Sequence, residues 1–235
     1  MNIIFPNFKP FCTKVLFYRI PKNASTSIHI NLAETSVISS FSEELSKKAD
    51  KKLYKGFFDE THVKPDELLD LVSVENIQNL FSFCVVRDPW ERAVSMFCFV
   101  KKFKLKELYK INAPLNFSSF CSYLKDHKDD KYFIGSHKQV EWIKGKYPPK
   151  RIIRFENLKK EFKEMVEEIN LVGVNPNLPK LNTTKHTHYS DYYNSDNKKI
   201  ISEVFEEDID TFNYTFKGAD PGYQESTGSK GSLRI

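Results

Sequence analysis

Two short segments contain the residues that could bind an anion, and each follows an apolar run. The first is IPKNASTS, residues 20–27, where Lys22 and three hydroxyl side chains come directly after the run VLFYRI. Backbone N–H groups at the start of a helix are unpaired and point outward, and a lysine adds a full positive charge. The segment therefore favours an anion. It is not a Walker A loop, because that motif needs glycines before its lysine and IPKNASTS has none.

The second segment is VVRDPWERAVS, residues 85–95, in which Arg87 leaves the end of the apolar run FSFCVV. Trp90 and Val94 share one face of the helix that should follow, so Ser95 lies off that face and can point toward a ligand. A planar guanidinium and a hydroxyl suit a phosphate monoester. An ordinary alternative stays open, with Arg87 in a surface ion pair and Ser95 facing solvent. The same alternative applies to the lysine of the first segment.

Three apolar runs are typical of buried strands, and a helical pattern follows each of them. The strands are predicted at 15–20, 81–87 and 151–155, and the helices at 25–32, 88–104 and 156–170. Further helices are predicted at 65–72, after Asn116 and within 189–213. The helix after the second strand has a clear start signal, with Asp88 as N-cap, Pro89 at its first position and Glu91 three residues after the cap.

This alternation of strands and helices predicts an α/β fold: a single P-loop-like domain with a central parallel sheet flanked by helices. In such sheets ligands bind beyond the carboxyl ends of the strands. Both anion-binding segments fall at that edge. We therefore expect them to lie close together, although 60 or so residues separate them along the chain.

Composition limits the broad class of the protein. At 235 residues, 40% hydrophobic and 14% aromatic, the chain can form one sizeable core. The net charge of +5 fits an anionic ligand or a solvated lysine-rich surface, and no Arg-rich arm indicates nucleic acid. The four cysteines lack the spacing of a metal site, and no apolar run reaches the roughly 20 residues of a membrane span. We expect a soluble, cytoplasmic protein with one domain over residues 1–216 and a flexible tail over 217–235.

Taken together, the two segments resemble those of the sulfotransferases that use 3′-phosphoadenosine 5′-phosphosulfate (PAPS). IPKNASTS is similar to the 5′-phosphosulfate loop of that family, and VVRDPWERAVS is similar to its 3′-phosphate motif. The resemblance is greatest to the carbohydrate group that includes heparan-sulfate and uronyl 2-O-sulfotransferases and their bacterial relatives. Looser similarity extends over roughly residues 15–215, in THVKPDELLDL, HKQVEWI, IIRFENL and LNTTKHTHYSDYY.

The resemblance implies that the anion is a sulfated nucleotide and that the transfer uses no metal ion. The residues that it implies for binding PAPS, or the product adenosine 3′,5′-bisphosphate (PAP), are Lys22, Asn23, Ala24, Ser25, Thr26, Ser27, Arg87 and Ser95. Lys22 would neutralise the 5′-phosphate and the bridging oxygen that becomes negative as sulfate leaves. Arg87 and Ser95 would hold the 3′-phosphate, which distinguishes this sulfate donor from ATP.

An acceptor hydroxyl must lose its proton as it attacks, so a base with a pKa near neutral is useful. His62, in ETHVKPDELL, is similar to the histidine that acts as general base in the 2-O-sulfotransferase group. Glu60 is the second candidate, and a solvent-exposed loop histidine is the ordinary interpretation of His62. His186 and His188 could imitate a metal pair, but two histidines alone make a poor zinc site.

The resemblance implies a glycan or a small molecule as the hydroxyl acceptor, selected by surface loops at 36–64, 101–116 and 128–150. Aromatic and basic side chains in these loops suit a sugar or an ordinary surface: Phe57, Phe58, Lys101 and Lys102. His137, Gln139 and Trp142 resemble a segment that lines the acceptor cleft, with a plain helix surface as the alternative. Two other functions stay open. One is a P-loop-type kinase of small molecules, and the other is a non-catalytic module that binds anionic glycans.

Overall fold

The computed structural model of the chain describes most of the segments that the sequence marked as strands or helices. The residues that it describes are 2–6, 15–33, 36–38, 62, 64–65, 80–106, 111, 114–130, 135–171, 173–179 and 186–218. The predicted helix at 65–72 and the predicted tail lie almost wholly outside these residues. The boundary of the domain after residue 216 therefore stays a prediction.

Five strands of the described residues form one sheet, in the spatial order β3-β1-β2-β4-β5. They are β1 (Asn2–Pro6), β2 (Val15–Tyr18), β3 (Ser36–Ile38), β4 (Phe81–Val86) and β5 (Arg151–Arg154). The three strands predicted from apolar runs are β2, β4 and β5, and they pair in parallel as expected. The sheet as a whole is mixed, because β1 pairs antiparallel with both β2 and β3.

The two antiparallel strands are the part of the sheet that the sequence did not predict. β1 is a short apolar run that ends at Pro6, and β3 has only three residues. Neither is long enough to show a pattern of its own, and a proline near a short run weakens the signal for a strand. Pro6 is accommodated because it stands at the end of the ladder, opposite Ser36.

Six α-helices lie within the described residues, and none of them is both long and apolar enough to cross a membrane. They are α1 (Ser25–Ala33), α2 (Pro89–Lys102), α3 (Phe117–Asp126), α4 (Leu158–Glu168), α5 (Ser195–Val204) and α6 (Glu206–Phe212). The single helix predicted within 189–213 is wrong. It is a 3₁₀ turn at Tyr189–Tyr192 followed by α5 and α6, because the Asn194 side chain caps the backbone N–H of Asn197 and starts a new helix.

Side chains of the parallel strands alternate between the two faces of the sheet, and each face has its own hydrophobic core. On one face Leu16 and Tyr18 pack in a cluster with residues of α2, α3 and α5. On the other face Phe17 and Phe83 stack with ring centroids 4.7 Å apart, in a cluster with residues of α1 and α4. Each fully buried side chain of this size contributes about 1.5–3 kcal/mol. The predicted sheet with helices on both faces is confirmed.

The register of the parallel strands brings their carboxyl ends to one edge. Tyr18, the last residue of β2, pairs with Cys84, and Val86, the last residue of β4, pairs with Arg154 at the end of β5. The chain leaving β2 therefore emerges beside the chain leaving β4, and the chain leaving β5 follows next to it. This edge positions the candidate site.

Candidate active site

The loop between β2 and α1 has an unusual backbone for a segment without glycine. Lys22 has a φ of 68° and Ala24 a φ of 57°, and both values lie in the left-handed region. Left-handed backbone costs a residue with a side chain about 1–2 kcal/mol, and such strain is often found where a backbone is shaped for a ligand. Alternating handedness turns successive N–H groups toward one concavity that suits an anion. The loop directly before α1 therefore has a backbone shape that could receive an anion, and its role stays a prediction.

The two predicted anion-binding segments are in contact. The guanidinium of Arg87 donates a hydrogen bond from Nη1 to the backbone carbonyl of Lys22, over 3.0 Å. Its second nitrogen, Nη2, lies 3.0 Å from the carboxylate of Glu91. The same group lies 3.9 Å from the ring centroid of Phe155, the first residue after β5. Arg87 thus makes the ion pair that the ordinary interpretation expected, but it is buried at the end of all three parallel strands.

The Lys22 side chain lies over an aromatic ring, with Nζ 4.0 Å from the ring centroid of Phe99 on α2. Within the described part of the chain, no carboxylate forms an ion pair with it. Burial, with a further contribution from the neighbouring charges of Arg87 and Lys102, lowers the pKa of Lys22 to about 7. The ammonium form is therefore only marginally favoured near neutral pH in the protein alone.

The hydroxyl residues of the two segments are mostly buried. Ser25 and Ser27 in the first turn of α1 are buried, and Thr26 between them is partly exposed. Ser95 on α2 is buried as well. The expectation that α2 would bury a single stripe was too narrow, because α2 also packs against α3, α5 and the turn at Tyr189–Tyr192. The role predicted for Ser95 stays a prediction.

His62 lies beside the same strand end. Its imidazole is only 4% exposed, so the interpretation of it as a solvent-exposed loop histidine is wrong. Nδ1 lies 2.6 Å from the backbone carbonyl of Arg19, the first residue after β2. A carbonyl oxygen can only accept, so Nδ1 carries the proton and Nε2 carries the lone pair. Burial is the main reason that the pKa of His62 falls to about 3, which makes the ring neutral at physiological pH.

The start of α2 has the cap that the sequence predicted. The carboxylate of Asp88 accepts hydrogen bonds from the backbone N–H groups of Trp90, at 2.8 Å, and Glu91, at 3.2 Å. The backbone N–H of Asp88 donates to the carboxylate of Glu156 over 2.7 Å. Burial raises the pKa of Asp88 to about 6. The cap fixes the direction in which α2 leaves β4, and so places Arg87 at the sheet edge.

Two further buried residues complete the site: Arg92, which the sequence did not mark, and Gln139, whose contacts with the two segments the sequence did not show. Arg92 is fully buried on α2 and donates to the carbonyls of Pro21, at 3.2 Å, and His137, at 3.0 Å. Gln139 is also fully buried, and its amide contacts both Asn23 and Arg87. The alternative of a plain helix surface for the segment around it is wrong. The resemblance had placed Gln139 in a segment that lines the acceptor cleft, but nothing in the sequence identified Asn23 and Arg87 as its partners.

The remaining candidates have hydrogen bonds within their own segment or lie outside the described residues. Glu60, Phe57 and Phe58 belong to the residues that the structure does not describe. Nδ1 of His186 is hydrogen-bonded to the backbone carbonyl of Thr187, and Nδ1 of His188 is hydrogen-bonded to the hydroxyl of Ser190. Among the described residues no group of three histidine, cysteine or acidic side chains could hold a metal ion.

Comparison with known proteins gives one result that bears on this arrangement. A family model described as the Sulfotransferase family matches residues 9–215, which is most of the chain. A search of curated proteins found no significant match. A search of solved structures likewise found none. The matched region contains both predicted anion-binding segments, His62 and all three parallel strands. The chain therefore belongs to the sulfotransferase family.

Proposed function

We propose that this sulfotransferase moves a sulfuryl group from PAPS to a hydroxyl of a carbohydrate. The observation that carries the proposal is the contact between Arg87 and the Lys22 loop, because it puts two cationic strand ends side by side. Lys22 and the first turn of α1 would bind the 5′-phosphosulfate, while Arg87 and Ser95 would bind the 3′-phosphate. The other members of the loop, Asn23 to Ser27, would contribute backbone N–H groups and hydroxyls.

Charge on the leaving group determines what Lys22 must do. As the acceptor oxygen bonds to sulfur, the bond from sulfur to the bridging oxygen breaks and PAP leaves with its negative charge. An ammonium group beside that oxygen lowers the barrier. The pKa of Lys22 is lowered to about 7 in the protein alone, and the phosphates of a bound nucleotide would raise it again. Binding of PAPS would thus keep Lys22 in the charged form that the transfer needs.

The acceptor proton would go to His62. Since Nδ1 donates to the carbonyl of Arg19, the lone pair is on Nε2, which is the nitrogen that would take the proton. A pKa of about 3 makes a weak base, but an anionic nucleotide nearby would stabilise the imidazolium and raise that pKa. The bond to Arg19 would then fix the orientation of the ring during the transfer.

A carbohydrate acceptor is supported by the surface next to Lys22. Phe103 is 41% exposed, and its ring packs on Phe99 with the centroids 4.7 Å apart. Phe99 is the ring over which Lys22 lies. Two exposed lysines, Lys101 and Lys102, stand beside them. An accessible aromatic face can pack on a sugar ring, and lysines can bind its acidic groups. A cytoplasmic location remains a prediction from the sequence.

Nucleotide protection tests the proposal. We expect PAP to raise the melting temperature of the protein, and ATP with Mg²⁺ to raise it much less, because ATP lacks a 3′-phosphate. The opposite pattern would favour a small-molecule kinase. Transfer of labelled sulfate from PAPS to a panel of glycans then separates an enzyme from a binding module. Binding of PAP without transfer to any acceptor would favour the module.

A further inference from the structure

The side-chain amide of Gln139 joins the two anion-binding segments directly. Its Oε1 accepts from Asn23 Nδ2 over 2.6 Å and from the backbone N–H of Arg87 over 2.8 Å. Its Nε2 donates to the backbone carbonyl of Arg87, also over 2.8 Å. Asn23 Nδ2 also donates to the carbonyl of Val85, the residue before the last of β4. One amide thus contacts the Lys22 loop and the residue that carries the second cation.

Gln139 is itself held from the opposite side. Its backbone N–H and that of Val140 donate to the two carboxylate oxygens of Asp208 on α6, each over 2.9 Å. Both Gln139 and Asp208 are fully buried. Burial raises the pKa of Asp208, and the nearby charge of Arg92 opposes that rise. The amide therefore sits on a rigid support, and not on a loop that can follow the segments if they move.

We propose that Gln139 is a positioning residue that fixes the spacing between the 5′- and 3′-phosphate segments, so that both phosphates of one nucleotide bind at the same time. This inference rests on the proposed function. When two contacts share one ligand, the second forms at a high effective concentration only if the geometry allows both. A glutamine suits the position because its amide accepts two hydrogen bonds on Oε1 and donates from Nε2.

The alternative is that Gln139 only fills and stabilises the interior. A stability role and a spacing role differ in how they affect ligands with one or two phosphates. Loss of stability would weaken binding of every nucleotide by the same factor. Loss of spacing would weaken PAP, which must bridge both segments, and would leave adenosine 5′-monophosphate and adenosine 3′-monophosphate almost unaffected.

The test compares these three nucleotides on the full chain by calorimetry, for the wild type and for Gln139→Met, which keeps the length and removes the amide. We expect the dissociation constant of PAP to rise about tenfold or more, and those of the two monophosphates to change less than about threefold. Asn197→Leu is the matched control. It removes a buried amide that links α5 to Ser118 on α3, over 3.0 Å, away from both segments. We expect it to lower the melting temperature without changing the ratio of affinities.

A second variant keeps the test decisive if Gln139→Met does not fold. A protonated glutamate has the same pattern of acceptor and donor as glutamine, but an ionised one lacks the donor. In Gln139→Glu, the PAP affinity relative to wild type should therefore recover as the pH falls from about 8 to about 5. Ratios that stay constant across pH, or equal losses for all three nucleotides, would overturn the positioning role. If the wild type does not bind PAP at all, it is the proposed function that fails.

Discussion

The two segments at the sheet edge differ in how far the protein itself balances the charge of their cationic side chains. Arg87 has an ion pair with Glu91, a carbonyl partner on Lys22 and a ring beneath it, and it precedes a well-capped helix. The Lys22 loop has left-handed backbone at two positions and a partly buried ammonium that pairs with no carboxylate of the described residues. The charge of Arg87 is balanced by Glu91, although its buried Nε has no hydrogen-bond partner among the described residues, whereas the charge of Lys22 has no counter-ion there.

This difference suggests different roles for Arg87 and Lys22. A group whose charge is already balanced positions a ligand without changing its own charge, so Arg87 would suit the distal phosphate that does not react. A group without a counter-charge gains most from the ligand and from negative charge that develops during the reaction. Lys22 therefore suits the leaving-group oxygen. The four predictions that follow test this contrast, and they are ordered by the size of the expected effect.

Replacing Lys22 should have the largest effect. We expect Lys22→Ala to lower kcat/KM for PAPS about 10⁴-fold, because it removes both a phosphate contact and the partner of the developing charge. Sulfate transfer from labelled PAPS measures this. Lys160→Ala, on the exposed surface of α4, is the control and should behave as wild type. A rate near that of wild type in Lys22→Ala would contradict the role.

His62→Asn should affect the chemical step alone. Asparagine can still donate to the carbonyl of Arg19 but has no basic nitrogen, so kcat should fall about 10²- to 10³-fold. The dissociation constant of PAP should change less than about threefold, since the ring binds no phosphate. His127→Asn, where the ring stacks on Tyr123, serves as the comparison. If PAP binding fell as much as kcat, His62 would be part of the nucleotide site and not the base.

Arg87→Ala should mainly weaken nucleotide binding. Loss of a charged contact to the 3′-phosphate should raise the dissociation constant of PAP about 10- to 100-fold. Adenosine 5′-monophosphate, which lacks that phosphate, should bind to the variant nearly as it does to wild type. Arg151→Ala removes an exposed ion pair with Glu168 and is the matched control. An unchanged dissociation constant for PAP would refute the 3′-phosphate assignment.

The pH dependence of PAP binding sharpens the contrast further. Lys22 has a pKa of about 7 in the protein alone, and bound phosphate would raise that pKa. Binding at about pH 8 should therefore take up close to one proton, and affinity should fall by up to about tenfold per pH unit above neutrality. Calorimetry in buffers of different ionisation enthalpy counts the protons. Lys22→Met should abolish the uptake, whereas Arg87→Ala should reduce it only in part, because loss of the Arg87 charge raises the pKa of Lys22 in the free protein while burial still lowers it.

The sequence predicted those parts of the fold that rest on local pattern. The apolar runs gave β2, β4 and β5, and the cap residues around Asp88 gave the start of α2. The antiparallel strands were not predicted because β1 and β3 are too short to show a period. The break between α5 and the preceding turn had a local signal at Asn194, but the helical pattern on either side concealed it.

The site was predictable only where its residues follow a strand. Lys22 and Arg87 could be placed at one edge by topology alone, without knowledge of a contact. Gln139 could not, because its partners are 116 and 52 residues away and hydrogen bonds over such separations leave no trace in periodicity. The burial of His62 could not be predicted for the same reason, because it depends on a contact with a residue distant along the chain. Its partner is a backbone carbonyl, and a backbone carbonyl has no signature in the sequence.

The absence of glycine from the Lys22 loop has a consequence for kinetics. A glycine-rich loop samples many shapes and must be captured in the right one, whereas residues with side chains have a smaller allowed range of φ and ψ, so that fewer loop shapes compete with the one that the fold holds. The loop should thus be ready before the nucleotide arrives. We expect association at the speed of a charge-guided encounter, with no slow rearrangement phase, so that differences in nucleotide affinity among variants are expressed as residence time.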